Sequence, residues 1–227
     1  MLLRSQVKVL SLAIVSFLCI GGLVLFFVIN TRSIPSEDPL QKLLAGNTRF
    51  MKGKSIHPNQ TVQKRKELVS EQKPFAIIIS CSDSRVPSEI IFDQGLGDIF
   101  SIRVAGNIVD SVELDSVEFA VDELKVPLIL VLGHQNCGAV TAVLEGTHAV
   151  DDLKDIEPYL LPALKESKKL PGDPLENAIK TNVWFVIKSL ENKPLLSKLI
   201  AKKKLQILGG YYELETGHVQ ILNKKNP

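Results

Sequence analysis

The sequence predicts an α/β domain: a mostly parallel β-sheet flanked by helices, with one antiparallel edge strand, preceded by an N-terminal transmembrane or signal helix. Three observations carry that prediction. Phe75 to Ser80 and Leu128 to Leu132 are short, continuous apolar runs, the pattern of strands buried on both faces. Between and after them, apolar residues recur at helical spacing, so helices separate the strands and cover the sheet. The last two candidate strands, Leu205 to Leu214 and Val219 to Leu222, flank Thr216-Gly217, which makes them a hairpin and one of them antiparallel.

Taken in order, the first element is Val9 to Ile29, "VLSLAIVSFLCIGGLVLFFVI", which contains no charge. About 20 apolar residues suffice for a helix to cross a bilayer. Arg4 and Lys8 precede it and only Arg32 follows closely, so the positive-inside tendency keeps the amino terminus in the cytoplasm and sends the remainder outward. An uncleaved anchor and a cleaved signal peptide both fit; the run exceeds the usual apolar core of a signal peptide, and no A-x-A-like site follows it. Residues 1–32 are therefore a membrane anchor or signal segment, residues 33–39 a polar, proline-bearing linker, and residues 40–227 the folded α/β domain. That order places the domain in the periplasm or outside the cell.

Leu40, Leu43, Leu44 and Phe50 give a helix with one apolar stripe, and a polar helix covers Val62 to Ser70. The buried strand from Phe75 follows Pro74, and Ile99 to Arg103 is a weaker strand. Asp110 with Glu113 forms a capping box for a helix carrying Leu114, Val117, Val121 and Leu124. The second buried strand ends at Gly133. Helices then start near Gly138, near Asp152 and at Pro174, the last running to Leu190.

Composition narrows the function. A chain of 227 residues with 45% hydrophobic content can bury a sizeable core, and its formal net charge of +2 sets no electrostatic mandate. Lys202-Lys203-Lys204 and Lys224-Lys225 are short, lack interleaved aromatics and read as solvated faces, which argues against a nucleic-acid partner.

The chemistry sits at the two strand ends. Ligands of open parallel sheets bind outside the carboxyl ends of the strands. The first strand delivers "CSDSR", with Cys81, Asp83 and Arg85; the second delivers "HQNC", with His134 and Cys137. Two thiolates, one imidazole and one carboxylate oxygen suit a tetrahedral Zn2+ site. His134 and Cys137, at i and i+3, face one ion from a turn entering a helix. In an oxidising compartment two cysteines usually pair. A Cys81–Cys137 disulfide, however, leaves Asp83, Arg85 and His134 without a purpose. Arg85 separates a catalytic site from a closed structural one: a bidentate Arg85–Asp83 pair frees the fourth coordination position for water. Zinc then lowers the pKa of that water towards ~7. Asp83 can orient the resulting hydroxide at a substrate. His57, His148 and His218 lack partners at ligand spacing.

At these residues the sequence resembles the β-class carbonic anhydrases, through "CSDSRVPSEIIFDQGLGDIFSIRVAGN" (Cys81 to Asn107) and "VLGHQNCGAV" (Val131 to Val140), with fainter likeness in "LQKLLAGNTRF" and "LGGYYELETGHV". The resemblance implies reversible hydration of carbon dioxide to bicarbonate and a proton by zinc-bound hydroxide. It implies zinc ligands Cys81, His134 and Cys137, and Asp83 either on the metal or paired with Arg85. It assigns a bicarbonate contact to Gln94; backbone amides near Gly138 are expected to steady the substrate oxygens beside it. It also implies a homodimer or homotetramer whose active sites lie at subunit interfaces. Two other functions stay open at this point: hydrolysis of carbon disulfide or carbonyl sulfide on the same scaffold, and a non-catalytic structural zinc module. The anchor at Val9 to Ile29 rests on hydropathy and owes nothing to the resemblance.

Overall fold

The computed structural model describes residues 38–147 and 152–223. The expected helix over Val9 to Ile29 and nearly all of the linker lie outside the described residues. Among the described residues no helix is long and apolar enough to cross a membrane.

The chain opens with α1 (Pro39–Met51), capped by Asp38, whose carboxylate accepts from the Leu40 amide at 2.9 Å. Helix α2 (Val62–Glu67) is capped by the Thr61 hydroxyl and stops short of Ser70. Strand β1 (Ala76–Ser80), the short α3 (Ser88–Ile91) and β2 (Ile99–Arg103) follow. A 3-10 turn over Ala105–Asn107 leads into α4 (Ser111–Asp122). Both halves of the expected capping box form there: Asp110 accepts from Val112 and Glu113 amides, and Glu113 accepts from the Asp110 amide at 3.2 Å. Such a cap is worth about 1 kcal/mol.

Strand β3 (Leu128–His134) runs two residues beyond the apolar run, so His134 is its last residue. Then come α5 (Gly138–Glu145), α6 (Glu157–Ser167), α7 (Pro174–Glu191) and α8 (Pro194–Ala201). The hairpin closes the domain with β4 (Gln206–Tyr212) and β5 (Val219–Leu222).

The sheet order is β2-β1-β3-β4-β5, parallel throughout except for the β4–β5 pair. The mostly parallel sheet with one antiparallel edge is thus present. The two most apolar strands lie side by side in the middle, and Ser80 pairs with Leu132. Their carboxyl ends therefore emerge together.

Each strand contributes to two apolar layers, because side chains alternate faces. Ile77, Ile79, Ile129 and Val131 pack under α4 to α8. Ala76, Ile78, Leu128 and Leu130 pack with Leu43 of α1, Ile91 of α3 and Phe92 on the other face. Helix α1 approaches closely at Gly46: a Cβ there would stand 1.7 Å from the Phe92 carbonyl oxygen, so no side chain fits. Buried Asn47 ties the same helix to the edge of the sheet. Its Nδ2 donates to Gly217 O at 2.8 Å, and its Oδ1 accepts from the Val219 amide at 3.0 Å.

Candidate metal centre

Cys81 is the first residue past β1, His134 the last of β3, and Cys137 the N-cap of α5. Because β1 and β3 are neighbours, these three residues meet over a span of 56 positions. The two sulfurs lie 4.0 Å apart, and the ligand atoms of all three residues lie within 4.8 Å of one another. Tetrahedral arms of ~2.3 Å would set two sulfurs about 3.8 Å apart, whereas a disulfide needs ~2.05 Å. Both cysteines are free. The pocket is dry: Cys81 is 4% exposed, and His134 and Cys137 are fully buried.

The histidine is oriented for a cation. Its Nδ1 lies 2.9 Å from the Gln135 carbonyl oxygen, which only an Nδ1–H can satisfy, leaving the Nε2 lone pair free. Nε2 is buried without any partner. Unpaired buried nitrogen is costly, and a metal ion removes that cost. The sulfurs give the same indication. A hydrogen bond from Cys137 draws the Cys81 thiol down, and the neighbouring Cys81 sulfur together with burial pushes Cys137 up. Two thiolates so close need a positive charge between them. The donor set suits a soft divalent ion.

Asp83 stands at the mouth. Its Oδ1 accepts from the Arg85 backbone amide and from Arg85 Nε, each at 2.9 Å, and its Oδ2 accepts from Arg85 Nη2 at 2.7 Å. Arg85 thus grips both oxygens, as the sequence predicts, and holds the carboxyl down to about 2. Asp83 in turn raises the Arg85 guanidinium. Oδ2 remains 3.9 Å from His134 Nε2, beside the triad but turned to the arginine. Arg85 Nη2 also donates to the Asn136 carbonyl at 3.2 Å, tying the two strand ends together.

Gly138 opens α5 next to Cys137, exposed and with nothing within 4 Å of where a Cβ would sit. Gln94 goes elsewhere. Its Nε2 donates to Phe92 O at 2.8 Å and would lie 3.0 Å from a Cβ on Gly46, on the α1 side of the sheet. Cys81 and Cys137 belong to the opposite apolar layer. The structure therefore brings together Cys81, Asp83, Arg85, His134, Cys137 and Gly138, and keeps Gln94 apart from them within one chain.

Arg103 is a residue that sequence reasoning missed. It ends β2, in register with Ser80, and donates from Nη2 to Asp83 O at 2.7 Å and from Nε to Cys81 O at 3.2 Å. It clamps the backbone that carries ligand and carboxylate. Only the β1–β2 register reveals it; its spacing in the sequence signals nothing.

Comparison with known proteins agrees with this geometry. A family model described as carbonic anhydrase matches residues 76–219. The chain is 39% identical to carbonic anhydrase 2 of Mycobacterium tuberculosis, over 83% of this chain and 95% of that protein. It is 36% identical, with the same coverage, to a carbonic anhydrase of Mycolicibacterium smegmatis. Among solved structures, the β-carbonic anhydrase CcaA superposes with a TM-score of 0.64 at 28% identity, over 82% of this chain and 96% of that one. A structure from a study of two tetrameric β-carbonic anhydrases of Sordaria macrospora gives 0.63 at 26% identity, over 82% and 98%. Sequence, fold and the Cys–His–Cys cluster converge: the chain belongs to the β-class carbonic anhydrases.

Proposed function

We propose that the domain hydrates carbon dioxide reversibly at a zinc ion held by Cys81, His134 and Cys137, with Asp83 and Arg85 governing access to the ion's fourth position. The observation that carries this reading is the buried, unpartnered His134 Nε2 facing two sulfurs 4.0 Å apart. A bound zinc ion supplies the Lewis acidity that makes hydroxide from water near neutral pH.

The chain's own residues do the rest. Arg85, bidentate on Asp83, keeps the carboxylate from occupying the place water needs. Asp83, ionised and beside the triad, would accept a hydrogen bond from a water or hydroxide bound there and so turn its lone pair towards the carbon of carbon dioxide. The Gly138 amide, at the start of α5 where N–H groups lack intrahelical partners, offers a donor to the oxygen that gains charge. Buried apolar neighbours, among them Val140, keep bulk water from the sulfurs. A structural zinc module has no use for a gripping arginine, which favours the catalytic reading. Assaying purified protein for zinc and for carbon dioxide hydration tests it, with carbonyl sulfide and carbon disulfide as competing substrates. One zinc per chain and hydration that vanishes with chelation are expected; zinc-free, inactive protein, or turnover of the sulfur compounds alone, contradicts it.

The working unit is a homodimer or a dimer of dimers. Strand β2 is an edge strand with one unpaired side, and Val112 and Phe119 on α4 are 68% and 50% exposed, so this flank suits a second copy. Residues 1–32 serve as anchor or export signal and put residues 40–227 outside the cytoplasm, through the linker at 33–39. Alkaline phosphatase fused after residue 40 is expected to be active; an inactive fusion with normal expression refutes export.

A further inference from the structure

Helix α7 crosses the sheet far in sequence from the strand ends, yet it reaches the metal centre through one side chain. Asn182, 1% exposed, donates from Nδ2 to the Gly106 carbonyl at 2.8 Å, across 76 positions. Gly106 sits at φ 70 in the Ala105–Asn107 turn, a conformation that L side chains rarely adopt.

That turn is joined to both cysteine-bearing segments. The Val104 amide at its start donates to Ser80 O at 3.1 Å, one residue before Cys81. A Cβ on Gly106 would stand 3.7 Å from Ala139 Cβ, two residues past Cys137. The same turn packs against β1, β3 and α5, the elements whose ends carry Cys81, His134 and Cys137.

The cost of Asn182 is as informative as its bond. Its Oδ1 is buried and unpartnered, and so is the Nδ2 of neighbouring Asn107. A leucine of similar volume would remove that unpartnered oxygen but would leave the buried Gly106 carbonyl without its donor, so the amide is kept for the bond it makes.

We infer that Asn182 is a positioning residue for the Cys81 ligand: it fixes Gly106, and with it the turn that ties to Ser80 and packs against the strand ends carrying the ligands. A ligand whose backbone segment is fixed from outside is held in place before metal arrives, and outer partners of this kind typically change metal affinity 10- to 100-fold. This inference rests on the metal-site reading above.

The test measures zinc affinity by chelator competition, with the cobalt-substituted protein's thiolate charge-transfer band as a second readout. It compares the wild type, Asn182→Leu and Asn177→Leu. Asn177 is the control: it lies on the same helix and holds a loop at Pro171 O, 3.1 Å away, without reaching the sulfurs. Asn182→Leu is expected to fold with a lowered metal-free Tm, to bind zinc about 10-fold more weakly or worse, and to shift the cobalt band. Asn177→Leu is expected to keep wild-type affinity and band. Equal affinity and band in Asn182→Leu overturn the inference alone; a wild type that binds no zinc overturns the metal reading itself. Should Asn182→Leu fail to fold, the wild type decides by NMR. The Gly106 amide and Asn182 side-chain resonances shift on zinc loading while those of Asn177 stay put, or, against the inference, none of them moves.

Discussion

The triad and the carboxylate beside it obey different physics, although Oδ2 of Asp83 is only 3.9 Å from His134 Nε2. Cys81, His134 and Cys137 are sealed in the apolar layer under the helices, each on or next to the rigid end of a central strand. Asp83 and Arg85 stand on a loop, with side chains 16% and 51% exposed. On the proposed reading the buried group holds the ion, since two sulfurs and a bare imidazole nitrogen converge there. The exposed pair is built to choose, because a solvated ion pair exchanges partners at small cost. Holding and switching are divided between the interior and the rim.

That division can be broken from either side. The largest effect belongs to the interior. Cys137→Ser should lose most of its zinc and at least ~10³-fold of its hydration rate, because the source of hydroxide goes with the ion; metal analysis beside the assay checks both. Asp83→Asn should keep its zinc and lose roughly 10²-fold in kcat, as expected when a group that accepts the nucleophile's proton-side bond is neutralised. If Asp83→Asn also empties the site, the carboxylate is a ligand and the division fails. Arg103→Met should cost about 10-fold in kcat with zinc content unchanged, since it loosens the Cys81–Asp83 backbone but touches no ligand atom.

The smallest catalytic effect is expected at another arginine–aspartate pair, which sharpens the contrast. Asp93 is 2% exposed and bonded to Arg49 and to the amides of Ile56 and His57. Burial alone would raise its carboxyl, but those donors outweigh it and hold the carboxyl below its ordinary value. Its stabilising contribution is therefore complete above the unfolded carboxylate pKa of ~3.9, and is lost as pH falls through the lower folded value. Asp93→Asn should lower stability by about 1–3 kcal/mol at neutral pH and flatten the acid limb of the stability curve, with kcat unchanged. Urea melts at several pH values show this; a catalytic defect at full folding would contradict the purely structural role.

Much of this was legible in the sequence, for a physical reason. Buried parallel strands must be apolar throughout, so β1 and β3 announced themselves, and residues placed just after them had to share a rim. The capping box at Asp110 and Glu113 was equally local. Helix α8 is less legible, because its apolar stripe of Leu195, Leu196, Leu199 and Ile200, which faces the core, spans only two turns between lysines. Long-range placement escaped altogether. Arg103 reaches Asp83 only through strand register, and Asn182 reaches Gly106 only because α7 lies across the sheet. Gln94 shows the converse, since its loop folds towards α1 and carries it to the other face.

The central claim is that Arg85 keeps Asp83 away from an ion that the triad holds by itself. Stopped-flow hydration of carbon dioxide by Arg85→Ala protein of known zinc content tests it most directly. The account predicts about one zinc per chain, as in the wild type, with turnover reduced by roughly 10²-fold or more as Asp83 turns to the metal. Wild-type turnover at full zinc occupancy would contradict it.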